Sequence, residues 1–340
     1  MAKVATDPSS DVAQATAAQP STGFLQSVRN LFKITEFVIF LLGIVLLVVG
    51  AIINPRLLSG DNLKIMTRDV AILAIAAIGV GFTIITAGID LSVGSMVGFG
   101  GVVVAYFMMI WGLPIWLSII MVLVLGVVAG MFHGLYVTKL NMHGFLITLV
   151  TMGVARGFIL VITNAFPITN LPVGFNFMGQ GYLFDIIPFP VVICAVVAVI
   201  AHYLLRYTFI GRQIYASGGN IEAARFSGVN VDARVILAYV VSVVCAVTVG
   251  MIQAARMSLG HPGTGEGYEL LAIAACILGG LSLMGGEGSV LGILVGAMLI
   301  GVLQNEMIIL NINPYWHKIV IYLVLLAAIT VDYARRRRRK

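Results

Sequence analysis

Ten stretches of nearly uninterrupted apolar residues recur along the chain, at 36–53, 70–86, 93–110, 115–137, 145–163, 188–205, 235–255, 269–284, 289–305 and 316–331. Most approach the ~20 residues with which an α-helix crosses the hydrocarbon core of a bilayer. The pattern predicts an all-α membrane protein of about ten transmembrane helices, with the membrane domain over 36–332. The run 269–284 is short for a straight span and suits a broken or partly re-entrant helix. Residues 1–35 are rich in Ala, Ser, Thr, Gln and Asp and lack hydrophobic periodicity, which predicts a disordered cytoplasmic tail. They do not form a signal peptide, because the first apolar run starts only after Lys33 and no small-residue cleavage site follows it.

Composition excludes a water-soluble fold. Hydrophobic residues make up 60% of the 340, charged residues only 10%, and soluble domains carry about 25% charge. The mean hydropathy is +1.06, and lipid is the solvent that such a surface requires. The net charge of +6 lies wholly in the basic tail, since residues 335–340 are all Arg or Lys and the remaining basic residues balance the 14 Asp and Glu. That places the excess beside a span, as an anchor to anionic headgroups in the tail 333–340, and argues against nucleic acid as a partner. Cys194, Cys245 and Cys276 sit singly in apolar runs with no CxxC pair, and the five histidines are scattered, so neither a metal site nor a disulfide framework is expected.

Basic residues also set the orientation. With the N-terminus inside, the inner segments hold Lys3, Arg29, Lys33, Lys139, Arg206, Arg212, Arg225, Arg234 and the six-residue tail. The outer segments hold Arg56, Lys64, Arg68, Arg256 and Lys318, and Arg156 falls inside a span. Both termini are therefore expected in the cytoplasm. Two connectors are long and polar: an outer one at 164–187 and an inner one at 206–234. The outer segments 164–187 and 257–268 are the expected docking surface for an extracytoplasmic partner, the latter as a Gly-rich exposed linker.

The inner connector carries the strongest local signal. Ser217-Gly218-Gly219 breaks the chain, and Asn220 is a candidate N-cap. Glu222 falls in the first helical turn, where the dipole favours an acid. Ala223, Ala224, Arg225, Phe226 and Ser227 continue one short helix, and Gly228 is placed to end it in a left-handed conformation. Such a helix is either a surface element lying on headgroups or a contact knob for a cytoplasmic protein.

Several polar residues interrupt apolar runs. The segment 88–94 (GIDLSVG) joins two runs and carries Asp90 and Ser92; 285–289 (GGEGS) does the same later in the chain. Gly-interrupted segments beside a carboxylate point to a translocation pathway, and the alternative is that both are tight turns at the cytoplasmic surface, with Asp90 capping a helix. A lipid-facing Arg156 costs roughly 2.5–3.5 kcal/mol on insertion scales, which turns it inward, towards a carbonyl cluster or a substrate. Gln304 and Asn305 offer neutral donors and acceptors to a polyol, or to a neighbouring helix. Glycines at four-residue spacing, 126-130-134 and 288-292-296, suit close helix packing. The pentapeptide LAIAA occurs at 73–77 and again at 271–275, which biased composition alone explains.

These motifs together resemble a known family. The EAAxxxG at 222–228 looks like the coupling motif of bacterial ABC importer permeases. The wider 211–231 (GRQIYASGGNIEAARFSGVNV) resembles the ribose/xylose/arabinose-type sugar permeases, as do 88–94, 148–157 (TLVTMGVARG), 267–270 (GYEL) and 285–292 (GGEGSVLG). The likeness runs in order from about 36 to 332, with departures at Leu271, Glu287 and Glu306. It implies a type II importer fold, like that of the vitamin B12 permease. The implied assembly has two permease copies, the simplest being a homodimer, two cytoplasmic ATP-binding subunits and a periplasmic sugar-binding protein in a bacterial inner membrane. ATP and Mg are implied on the ATPase, and no cofactor on this chain, which has no Gly-Lys dipeptide and hence no P-loop. The resemblance implies coupling by Asn220, Glu222, Ala223, Ala224, Arg225 and Gly228. A pathway through Asp90, Ser92, Arg156, Gln304 and Asn305 is the reading of the polar interruptions. An ion-coupled secondary transporter using Asp90, Glu269 and Glu306 is the second hypothesis.

Overall fold

A computed structural model describes residues 35–337; the predicted tail up to residue 34 and the last three residues lie outside the described residues. Six helices are long and apolar enough to cross a membrane: α2 (Gly60–Ile85), α4 (Ile115–Lys139), α5 (Gly144–Thr163), α7 (Phe189–Tyr207), α10 (Val231–Met257) and α12 (Val290–Ile309). Four more fall on the remaining apolar runs but carry shorter apolar stretches: α1 (Thr35–Ile53), α3 (Val93–Met109), α11 (Tyr268–Leu278) and α13 (Pro314–Arg337). The connectors add α6 (Val173–Gln180), α8 (Phe209–Gly219) and α9 (Ile221–Phe226). The chain is an all-α membrane protein.

Burial sorts the helices. Of the most apolar stretch of α2, 89% is buried, against 22% for α4 and α5. α2 and α10 therefore form the interior, and α4, α5 and α7 turn Val, Leu and Phe outward, as a lipid-facing surface requires. Without a hydrophobic drive between helices in lipid, close approach of small residues substitutes for it. Gly126, Gly130 and Gly134 form that stripe on α4: a Cβ at Gly130 would lie 2.9 Å from the Tyr239 carbonyl of α10, and one at Gly126 2.9 Å from Val247. In the other glycine series, Gly292 and Gly296 of α12 meet Gly279 and Ala275. Gly288 departs from that expectation, because it lies before α12 in a loop with φ +143°.

The connectors gather at two ends. At the upper end, β1 (Ile168–Thr169) pairs antiparallel with β4 (Leu259–Gly260), and β2 (Tyr182–Leu183) pairs with β3 (Ile187–Pro188). Lys64 donates to the Asp185 carbonyl there (3.2 Å) and Arg68 to the Tyr182 hydroxyl (2.6 Å). At the lower end, segments 86–92, 208–230 and 279–289 meet. Trp111, Trp116 and Trp316, exposed at 57–63%, all flank the upper end, as an interfacial aromatic belt does. Cys194, Cys245 and Cys276 are free and buried.

Three boundaries differ from the sequence pattern. α2 begins at Gly60, ten residues before its apolar run, capped by the Ser59 hydroxyl accepting from the Asn62 amide (3.4 Å). Its first turns are polar because they stand at the upper end rather than among apolar helices. α8 runs through Ser217, Gly218 and Gly219, which the sequence predicts as a break; the break is one residue, Asn220, at φ −157° and ψ 105°. The segment 257–268 is no free linker. A Cβ on Gly260 would lie 2.9 Å from the Gly101 carbonyl, and Gly265 is held against Gly94 and Val97 of α3. α11 then stops after 11 residues, about 16 Å at 1.5 Å per residue, well short of the ~30 Å core.

Candidate functional site

At the lower end, Asn220 caps α9: its Oδ1 accepts from the Ala223 amide (2.9 Å), satisfying one of the orphan donors of a helix start. The helix closes at Ser227, and Gly228 turns the chain away at φ +78°, a left-handed conformation that a Cβ disfavours. Ala224 is buried against Val231, Val235 and Tyr239 and seats the helix. Arg225 reaches Asp232 (3.1 Å), whose other oxygen takes Lys139 from the end of α4 (2.7 Å). These charges clamp α9 onto α10 and α4 from behind. Glu222 and Ala223 face out, and Phe226 stands 92% exposed. Sequence reasoning placed Phe226 in the helix but gave it no role, and passed over Asp232 and Lys139 as its supports, although a bare aromatic in so short a polar helix was itself a signal.

Behind α9 lies the first chain break, 86–92, and it is not a surface turn. Asp90 and Ser92 are wholly buried. One Asp90 oxygen accepts from the Ser92 amide (2.9 Å) and hydroxyl (2.6 Å), the other from Ser242 Oγ (2.7 Å), well inside α10. A buried carboxylate is costly unless so bonded. Thr148 Oγ1 accepts from the Leu91 amide (3.1 Å), pinning the same break to α5.

Arg156 points inward, to a carbonyl cluster. It donates to Pro262 O (2.7 Å), Thr264 O (3.0 Å) and Gly94 O (3.4 Å), tying α5 to the descending 258–267 segment and to the first turn of α3. Asn305 is buried and exchanges hydrogen bonds with Asn62 of α2, at 2.8 and 3.0 Å. The structure thus separates the five pathway candidates: Asp90 and Ser92 share one knot, Arg156 holds a second, and Asn305 pairs with α2.

Gln304 lines a cleft of about 220 Å³ toward the upper end, with Asn305, Asp69, Gln253, Arg256, Tyr268 and His317. Arg256 pairs with Asp69 across it, and Gln253 donates to the Tyr268 hydroxyl (2.7 Å). Charge-paired and neutral hydrogen-bonding groups beside an aromatic ring suit a hydroxylated neutral molecule. Asp69, Gln253 and Tyr268 were not legible as one group, since 184 residues part Asp69 from Gln253. Among the described residues no group of three His, Cys, Asp or Glu is arranged to hold a metal.

Residues 62–329 match the family described as branched-chain amino acid transport system / permease component. The ribose import permease protein RbsC of Haemophilus influenzae is 40% identical over 312 residues, covering 88% of this chain and 95% of that one. The ribose import permease protein RbsC of Bacillus subtilis is 39% identical, over 85% and 89% of the two chains. The xylose transport system permease protein XylH of Haemophilus influenzae is 32% identical, over 83% and 91%. No solved structure matches the chain. Buried helices, a capped EAA helix at one end and near full-length similarity to such permeases lead to one assignment: the chain belongs to the family of sugar permeases of ABC importers.

Proposed function

We propose that the chain is the membrane permease of an ATP-driven importer for a pentose or another small polyol, working in a bacterial inner membrane by alternating access. Cytoplasmic ATPase subunits, which would carry ATP and Mg, dock on α9 at the lower end. A sugar-binding protein delivers solute at the upper end, where the paired segments around β1 and β4 form its platform. On this reading the chain makes ten crossings, both termini are cytoplasmic, and a second permease copy completes the path. The polar cleft beside Gln304 is where a hydroxylated solute first meets the permease.

The observation that carries this reading is α9. It is capped, clamped from behind by Arg225, Asp232 and Lys139, and bare on its outer face at Glu222 and Phe226. A rigid knob with an exposed aromatic is what a partner's pocket grips. Of the three carboxylates that an ion-coupled carrier would use, Asp90 already accepts three hydrogen bonds from serine donors.

Co-expression with an ATPase subunit and a binding protein, followed by reconstitution, tests the assignment. Phe226→Ala should lower binding-protein-stimulated hydrolysis about tenfold or more, the effect of truncating an aromatic anchor. Glu222→Lys should act in the same direction, with membrane insertion unchanged. Wild-type hydrolysis and uptake in both variants would return α9 to an ordinary headgroup-bound helix.

A further inference from the structure

The helix before the coupling knob has a role that the EAA motif does not describe. We infer that α8 is the joint through which movement of α9 reaches both chain breaks at once, with Tyr215 and Gly218 as its positioning residues. This rests on the ATP-driven reading above.

Three remote segments meet at one carbonyl. α2 ends at Ile85, and its last carbonyls have no intrahelical partner. The Ile85 oxygen takes its hydrogen from the Gly286 amide of the second break, at 2.8 Å. Gly218, in the last turn of α8, lies so near the same oxygen that a Cβ there would overlap it. Two residues further along the second break, Tyr215 Oη of α8 donates to Gly288 O (2.8 Å), reaching it 73 residues away in sequence. Burial pushes the Tyr215 phenol up, with Arg206 pulling the other way, so the hydroxyl keeps its proton and remains a donor.

The two breaks also touch directly, since a Cβ on Gly285 would lie 2.8 Å from Ala87. Both are held in left-handed backbone, Ala87 at φ +60° and Gly285 and Gly286 at +83° and +74°. Such segments change conformation by rotating a few dihedrals, as hinges do. α8 is the opposite, an 11-residue helix with Gly211, Gln213, Ile214, Ser217 and Gly218 buried. It is joined to α9 through the single extended residue Asn220. A tilt of α9 therefore turns α8, and the tight fit at Gly218 leaves the breaks no room to stay behind. The first break carries Asp90 and leads into α3; the second leads into α12. Both helices thus receive the movement together.

Tyr215→Phe tests the joint, because it removes one hydroxyl and leaves the ring. The assembled transporter, with its ATPase and binding protein in liposomes, is assayed for labelled ribose or xylose taken up per ATP hydrolysed. The ratio is expected to fall about fivefold, in the range set by one lost buried hydrogen bond, with stimulated hydrolysis within about twofold of wild type. Gly218→Ala should move the ratio the same way. Tyr207→Phe, whose ring is exposed at the end of α7, should leave it unchanged. A merely structural Tyr215 would lower assembled complex, hydrolysis and uptake in proportion, and an unchanged ratio in Tyr215→Phe overturns the joint. Wild-type uptake that proceeds without ATP instead removes the underlying reading, and the joint falls with it.

Discussion

Asn305 shows how one side chain can serve two readings until its partner is known. Its amide is buried and matched to that of Asn62, which also donates to Leu57 O (2.8 Å). Leaving one buried amide unpaired costs about 1–3 kcal/mol, whereas replacing both partners with apolar groups is nearly neutral. Asn305→Leu should therefore lower thermal stability in detergent, and the Asn62→Leu, Asn305→Leu double variant should cost less than the sum of the two single ones. Uptake per assembled complex should hold in the single variant; its collapse would restore Asn305 to the pathway. Arg156 was legible in the sequence as inward-turned, because a charge against lipid is expensive, whereas Asp90 read equally well as part of a surface turn. Their partners were not legible, since Arg156 bonds carbonyls more than 100 residues away and Asp90 a serine 152 residues away. No local pattern encodes such pairings.

At the scale of elements, the ten apolar runs each found a helix, since a run near bilayer length has few alternatives in lipid. The errors were local. A Ser-Gly-Gly triplet signals a turn, yet α8 passes through it because Gly218 must admit the Ile85 carbonyl, and tertiary packing overrides propensity. The early start of α2 was hidden by its polar first turns. The two LAIAA copies lie on α2 and α11, each of which runs down into a break, and Cys276 Sγ, just past the second copy, donates to Ala77 O at the end of the first (3.1 Å). The α4–α10 contact supplies the prediction at this scale. Gly130 admits the α10 backbone at Val240, so Gly130→Leu should separate the helices and cost about 2–3 kcal/mol, the upper range for overpacking a core. A thermal-shift assay of the purified chain reads this, and Gly153→Leu, where no neighbour lies within 4 Å, should be near neutral.

Across the whole molecule, the connectors sort into two ends, and on the proposed reading of ten crossings the basic residues put the lower end inside. Ser227→Cys and Phe184→Cys place a thiol at the lower and upper ends, at positions that are exposed in both cases. In intact cells a membrane-impermeant maleimide should label Phe184→Cys alone, and permeabilisation should add Ser227→Cys. Labelling of both from outside would break the proposed orientation. The experiment needs no engineered background, and the reason is the burial of the native thiols. Cys276 is shut off completely, and Cys194 and Cys245 are only 7% exposed. A sulfhydryl closed off from solvent reacts slowly. The natural protein is therefore already silent to alkylating dyes, and any single cysteine added at its surface becomes a reporter for distance and accessibility through the transport cycle.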